Sequence, residues 1–368
     1  MKSLLAVSLM LLSFCLHASE SWTDWEQFKQ VYISPQGRVI DGSSPQMITT
    51  SEGQSYALLC ALIANDKPTF DRVLNWTETN LANGDLTAQL PAWLWGKEKD
   101  SPSYHVLDAH SAADSDLWIA YALAEAGRLW KDYRYKSLSY FLAERILHEE
   151  SVNIPNYGWI ILPGKVGFQL NTSTWRLNPS YLPLQIFRRF NVLYPKSPWQ
   201  AVAQNSFKFL TQSSQKGFSP EWAMITDNNR ILADEKESKV GGYNAIRVYL
   251  WLGMMSNEDE FKAPLMNTFA PMLKAIQTDG FVAEQFDLKT NTQIGYKPLG
   301  FSAAVLPFLA SANDTIRINE FVEKINARKL SNSPDSYYDS VLILIGKGWQ
   351  EKRYGFEKDG ALTTQWSR

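Results

Sequence analysis

The stretch Thr49-Thr50-Ser51-Glu52-Gly53-Gln54-Ser55-Tyr56 runs directly into an apolar segment, residues 56–64. The pattern predicts a helix that is apolar on every side, and such a helix belongs inside a core. One carboxylate, Glu52, stands in its first turn. A carboxylate at the mouth of a buried helix has either a capping task or a chemical one.

The same kind of helix recurs. Residues 117–126, 245–255, 301–310 and 341–345 are apolar nearly all round. Amphipathic segments lie between them. Phe70, Val73, Leu74 and Leu81 form one stripe against Asp71, Arg72, Asn75 and Glu78. Tyr140, Phe141, Ile146 and Leu147 do the same against Glu144, Arg145 and Glu149. These read as outer helices with one wet face. The apolar helices are expected to start near Ser51, Asp114, Pro179, Tyr243, Gly300 and Asp335. Most intervals are about sixty residues, room for two helices and their loops, and the last is shorter. An inner helix followed by an outer one, about six times over, closes into a ring. The expected fold is therefore all-α, an (α/α)6 barrel of six inner and six outer helices. Gly158, Pro163 and Gly164 between apolar pairs suggest a small β-hairpin inserted at residues 156–168. The polar tail after Tyr354 is expected to be loosely held.

No Gly/Ser linker or composition break divides the chain of 368 residues, so residues 19–368 read as one domain. Residues 1–18 read as a secretory signal: Lys2, an apolar run at residues 4–16, and Leu16-His17-Ala18 before the cut. Phe14 makes Cys15 a poor lipoprotein site. The expected location is therefore periplasmic or secreted, without stable membrane insertion after cleavage. Only Cys60 then remains of the 2 cysteines, so a large core rather than disulfides must supply stability. The net charge of −2, with no basic run, argues against nucleic acid as a partner. Aromatics make up 13% of the chain, with 14 Trp, enough for a helical core and for faces that suit sugar rings.

In such a ring the inner helices point one way, and their first turns gather at one mouth. Those turns carry Ser51-Glu52-Gly53-Gln54, Ser111-Ala112-Ala113-Asp114-Ser115-Asp116, Asn178-Pro179-Ser180-Tyr181 and Gly242-Tyr243-Asn244-Ala245-Ile246-Arg247. His105, His110 and His148 show no ligand spacing, so neither a metal nor another cofactor is expected. There is no nucleophile elbow or phosphate loop. Carboxylates near aromatics are the kit for glycoside hydrolysis, in which one acid protonates the leaving oxygen and a second group activates water or attacks. Taken singly, Glu52 and Asp114 also suit simple complementation of the helix dipole. The dipole favours an ionised carboxylate, which is wrong for a general acid. Glu52 therefore needs a neighbouring carboxylate such as Asp114, or burial against Trp95, to hold its proton.

At these residues the chain resembles glycoside hydrolase family 8, and within it the periplasmic endo-β-1,4-glucanases of bacterial cellulose synthesis. The resemblance runs through Trp25-Glu26-Gln27-Phe28, Thr49 to Tyr56, Leu90-Pro91-Ala92-Trp93-Leu94-Trp95-Gly96-Lys97 and Leu162-Pro163-Gly164-Lys165-Val166-Gly167-Phe168. It continues in Asn178-Pro179-Ser180-Tyr181-Leu182-Pro183, Lys216-Gly217-Phe218-Ser219-Pro220, Ala245-Ile246-Arg247-Val248-Tyr249 and Gly300-Phe301-Ser302-Ala303-Ala304. It implies an (α/α)6 barrel and inverting hydrolysis. It implies β-1,4-glucan as substrate and the cellulose synthase complex as a partner. Glu52 matches the general acid and Asp114 the sugar-positioning acid. Arg247 and Tyr243 match the base pocket. Trp93, Trp95, Trp175 and Tyr181 match sugar-stacking positions.

The chain departs from the pattern at three places. Ala113 stands where Ser or Thr is usual, and Ser115 where Gly or Ala is usual. Position 244 matches the general base, usually Asp, and here it is Asn. An amide cannot accept the proton of the attacking water, although it can hold that water. Asn244 fits a catalytically impaired glucan binder. It equally fits a base supplied from elsewhere, with Asp114 or the run Asp234, Glu235 and Glu237 as candidates, or slow turnover of a merely positioned water. Asn is also a good helix cap. A terpenoid cyclase or lyase on a similar ring lacks the expected Asp-rich or His/Tyr/Arg motifs.

Overall fold

The computed structural model describes residues 21–98, 103–234, 240–328 and 337–367. The signal sequence, Cys15, Glu235 and Glu237 lie outside these residues. The helix that decides the fold is α2 (Ser51–Ile63), and every one of its residues except Glu52 is buried. Thr50 is its extended N-cap, and the Thr50 hydroxyl accepts the Gly53 N–H at 3.0 Å.

Among the described residues, six inner positions form the ring. They are α2, α4 (Ala113–Leu129), a 3-10 turn (Pro179–Tyr181) leading into α6 (Leu184–Leu193), α8 (Ala245–Met254), the pair α11 (Leu299–Ala304) and α12 (Leu306–Ser311), and α14 (Tyr337–Gln350). Outside them lie α3 (Lys67–Leu81), α5 (Tyr133–Glu149), α7 (Trp199–Ser213), α10 (Ala270–Asp279) after the short α9 (Lys262–Thr268), and α13 (Thr315–Asn326). The sixth outer helix is α1 (Thr23–Tyr32), which packs on α14. The fold is an (α/α)6 barrel, closed by the start of the described chain rather than by a helix after the last inner one. Salt bridges from Asp24 to Lys347 (2.9 Å) and from Lys29 to Asp66 (2.7 Å) accompany that closure.

Three turns from inner to outer helix share one device. Asn65, Lys131 and Asn313 have positive φ, and the next residue is an Asp cap. Asp66 accepts from the Thr69 N–H, Asp132 from Arg134 and Asp314 from Arg317. The left-handed residue reverses the chain, and the carboxylate satisfies an N–H of the next helix. Proline sets the irregularities. Pro179 and Pro183 delay the third inner α-helix to Leu184, five residues after its expected start. Pro307 divides the fifth inner position after Val305.

Strands cluster at the end of the ring where the inner helices begin. β1 (Thr49–Thr50), β2 (Leu94–Lys97) and β3 (Tyr104–Asp108) form one antiparallel sheet, and β1 ends where α2 starts. The predicted hairpin lies earlier than expected. β4 (Ser151–Ile154) pairs with β5 (Gly158–Ile161), and residues 162–168 are loop. A four-stranded meander, not anticipated, joins β6 (Gln169–Asn171), β7 (Thr174–Leu177), β8 (Ala223–Thr226) and β9 (Ile231–Ala233). Gln285–Asp287 pairs with Thr292–Ile294 in a further hairpin. Among the described residues no helix is long and apolar enough to cross a membrane.

The tail is clamped, contrary to expectation. Tyr354–Phe356 pairs with Leu362–Thr364, and Leu362 is buried. The Tyr121 hydroxyl donates to the Gly360 carbonyl at 2.7 Å. Glu125, fully buried on α4, accepts the Leu362 N–H at 2.9 Å and Arg189 Nε at 2.6 Å, and also pairs with Arg128. A few apolar side chains, Phe356, Leu362 and Trp366, also pack on the core, so the tail is held by sparse apolar anchors together with polar contacts. Removing one partner of a buried ion network strands the others, at about 3–5 kcal/mol. Glu125→Ala is expected to lower stability by that amount in urea unfolding followed by circular dichroism. A loss below about 1 kcal/mol, the level of an exposed pair, would show that the network does not hold the tail.

Candidate active site

Arg247, one turn into α8, is 2% exposed and carries a charge it cannot shed. Its surroundings are therefore built from acceptors. Nη1 donates to Asp114 Oδ2 at 2.9 Å, to the Tyr56 hydroxyl at 3.1 Å and to Glu52. Nη2 donates to Asn244 Oδ1 at 2.7 Å. One guanidinium thus joins the first turns of α2, α4 and α8. Burial disfavours the Arg247 charge, but the carboxylates, Glu52 first, more than offset this and hold it protonated.

The Glu52 side chain is 22% exposed. Burial raises its pKa, the Arg247 charge lowers it and Asp114 raises it again, and the balance stands at about 7. Burial outweighs the Arg247 charge, and a raised pKa is the condition a general acid at this position requires. Asp114 is buried, bonded to Arg247 and to the Ser115 N–H at 2.8 Å. The unusual Ser115 has a structural task. Its hydroxyl lies 2.7 Å from that of Ser51 and stitches α4 to α2.

Asn244 does not cap α8 with its side chain. Glu221 does that instead. Its Oε1 accepts the backbone N–H groups of Asn244 and Ala245, both at 2.9 Å, and Oε2 accepts Asn244 Nδ2 at 2.6 Å. Glu221 accepts only and Arg247 donates only, so the amide orientation follows: Nδ2 faces the carboxylate and Oδ1 the guanidinium. Gly242 makes room. Its φ is +132°, and a Cβ there would stand 2.3 Å from Glu221 Oε1. Glu221 was missed in the sequence, although it follows directly on Lys216-Gly217-Phe218-Ser219-Pro220. Of the other proposed bases, Asp234 is held by Arg176 at 2.9 Å and Asp114 is held on the Glu52 side.

The expected aromatics divide. Tyr181 has its ring 5.6 Å from the Arg247 guanidinium carbon. Tyr243, half exposed, packs on Phe301 and Tyr338 and donates to Glu284 Oε1 at 2.6 Å. The Trp93 carbonyl accepts the Ser51 N–H at 3.0 Å. The Asp108 carboxyl is held below its usual range by the His110 N–H and then by the Trp93 indole. Trp95 meets Trp76 of α3 edge-on at 5.6 Å. Trp175 is a correction. It is 4% exposed, on the face of β7 that turns into the core, and offers no free ring to a sugar. Trp222, not anticipated, is half-buried and stacks on Phe168 at 6.0 Å, with Tyr181 at 6.4 Å and Arg176 over its ring at 4.2 Å. The group can hold a flat, hydroxylated chain against apolar faces, and it supplies a carboxyl with a raised pKa beside a second carboxyl paired with Arg247.

Residues 2–352 match the family model described as Glycosyl hydrolases family 8. The endoglucanase of Escherichia coli O157:H7 is 43% identical over 371 residues, covering 100% of this chain and 98% of that one. The crystal structure of endo-1,4-D-glucanase from Vibrio fischeri ES114 has a TM-score of 0.89 and 48% identity, covering 94% of this chain and 100% of that one. A family 8 endoglucanase from Klebsiella pneumoniae has a TM-score of 0.71 and 26% identity, covering 90% of this chain and 100% of that one.

Behind Asp114 lies a second carboxyl pair, Asp116 and Glu150, both fully buried. Both Asp116 oxygens and Glu150 Oε2 lack a donor, which a proton shared between the two acids supplies. The Ser111 hydroxyl donates to Glu150 Oε1 at 2.6 Å. Burial first, and neighbouring carboxylates after it, raise Asp116 well above its usual range, and burial raises Glu150 to about 8. The native state keeps protons that the unfolded chain releases above the ordinary carboxyl range. Stability is then present at low pH and falls as pH rises from about 4.5 through about 8, the range set by Glu150. The melting temperature of the wild type is expected to drop across that window. Glu150→Gln should flatten the drop, and an equally steep profile in the variant would contradict the shared proton.

Proposed function

The chain belongs to glycosyl hydrolases family 8, and from that premise we propose that it is an endo-β-1,4-glucanase cutting cellulose chains with inversion. The observation that carries the reading is Glu52: a carboxyl with a pKa of about 7 at the ring mouth, joined to Asp114 through the Arg247 guanidinium. In this mechanism Glu52 gives its proton to the bridging oxygen as the bond from that oxygen to the anomeric carbon breaks. Water attacks that carbon from the opposite face and releases a proton to a base. Asp114 holds the sugar at the cleavage point. Tyr181, Trp222 and Phe168 offer rings to pyranose faces, and Trp93, Trp95 and Tyr243 border the mouth. The signal-like residues 1–18 support action in the periplasm, on glucan emerging from a cellulose synthase complex.

A second reading, a non-catalytic glucan binder, rests on the amide at Asn244. Carboxymethyl cellulose separates the two. The hydrolase lowers viscosity early and releases reducing ends slowly, as an endo cut requires. Its first product is the α-anomer by proton NMR. A chain that binds the polymer and releases no ends would be the binder.

Glu52→Gln keeps the shape and removes the transferable proton. It should lower kcat by about 10²–10⁴-fold, and an unchanged rate would remove Glu52 from the acid role. Because the acid must be protonated, wild-type kcat/KM is expected to be sustained below pH 7 and to fall as pH rises through about 7. A profile flat from pH 6 to 9 would contradict this.

A further inference from the structure

We propose that Glu221 is the general base, so that the carboxylate usually found at position 244 is supplied here from the preceding loop. The proposal rests on the hydrolase reading above and concerns who receives the water's proton. Glu52 and Glu221 stand at the two ends of one hydrogen-bonded chain: Glu52, the Arg247 guanidinium, the Asn244 amide, Glu221. The Arg247 guanidinium and the Asn244 amide lie between the two carboxyls, and an inverting pair needs such a separation to admit a water.

The partners of Glu221 suit a base. Asp114 is engaged by Arg247 and Asp234 by Arg176, while the hydrogen bonds of Glu221 come from neutral N–H groups. Those donors fill three of its about four lone-pair sites and leave one on Oε2. The residue is half-buried rather than sealed in the core. The next residue independently places the loop at the mouth. The Trp222 ring lies 6.4 Å from Tyr181, itself 5.6 Å from Arg247. Asn244 is then a positioning residue. Its second amide hydrogen and its carbonyl steer the water, while Glu221 Oε2 takes the proton. The water oxygen bonds to the anomeric carbon, the glycosidic bond breaks, Glu52 protonates the leaving oxygen and Glu221 ends as the acid. The amide is also required by its neighbour. Asp at 244 would set two carboxylates 2.6 Å apart, forced to share a proton.

The test uses the full chain with cellohexaose and carboxymethyl cellulose. Glu221→Gln still accepts the two backbone N–H groups through its amide oxygen, so α8 stays capped, while its NH2 forfeits the hydrogen bond from Asn244 Nδ2. Its kcat should fall about 10²–10⁴-fold with KM within threefold and the melting temperature lowered by only a few degrees, the cost of one hydrogen bond. Glu221→Ala with added azide should regain turnover and yield an α-configured glycosyl azide, because azide attacks without giving up a proton. Asn244→Asp alone should not raise kcat, whereas Glu221→Gln with Asn244→Asp, which moves the carboxylate across the pair, should recover at least tenfold over Glu221→Gln. Full activity in Glu221→Gln while Glu52→Gln is dead would overturn the base and leave the hydrolase reading standing. A loss confined to melting temperature or KM, without azide product, would reduce Glu221 to a cap and also overturn it. A gain of a hundredfold in Asn244→Asp would point to a degenerate site. A wild type with no turnover would overturn both proposals.

Discussion

The burial of one guanidinium organises this molecule. Arg247 cannot lose its charge, and a buried charge without partners costs several kcal/mol. Its acceptors come from Glu52 and Tyr56 on α2, Asp114 on α4 and Asn244 at the head of α8. They meet only if three inner helices start at one level. Ser51 and Ser115 hold two of those starts together. The register of the ring and the geometry of the site are thus one constraint.

Around that cation, chemically similar carboxyls acquire different characters from their surroundings. Glu52 is pushed up by burial despite the neighbouring cation. Asp114 is bound to Arg247. Glu221 is addressed by N–H dipoles alone and replaces Asn244 as the cap of α8. Asp116 and Glu150 lie deeper, where a shared proton answers the lack of donors. Burial and the nearest charge or N–H group differ from one acid to the next, and that difference divides their characters.

Much of the ring is legible from hydrophobic pattern. The expected start at Ser51 is the observed one, and those near Asp114 and Gly300 fall within a residue of it. The third start was misplaced because Pro183 excludes the helix until Leu184. The tail was misread because its apolar anchors, Phe356, Leu362 and Trp366, are too sparse to form a pattern, and the bonds from Tyr121, Arg128 and Glu125 leave no trace in hydropathy. The turns built on Asn65-Asp66, Lys131-Asp132 and Asn313-Asp314 were in plain view as a signal and went unused. In the site, helix starts and resemblance pointed to Glu52, Asp114, Asn244 and Arg247, and the fold brings these four together. Trp175 and Trp222 were not told apart, since burial of a ring on one strand face depends on what packs beneath it.

By itself the sequence determined the alternation of all-round apolar and one-sided helices, and therefore a ring with polar first turns at one end. That information is local, because hydropathy and helical period are properties of a few neighbouring residues. Tertiary structure alone decided that Glu221 meets Asn244, that Glu52 is buried enough to hold a proton, and that Arg247 joins them across 195 residues of chain. These depend on distances and desolvation between segments remote in sequence. An amide at 244 reads as a lost base until folding brings a carboxylate against it.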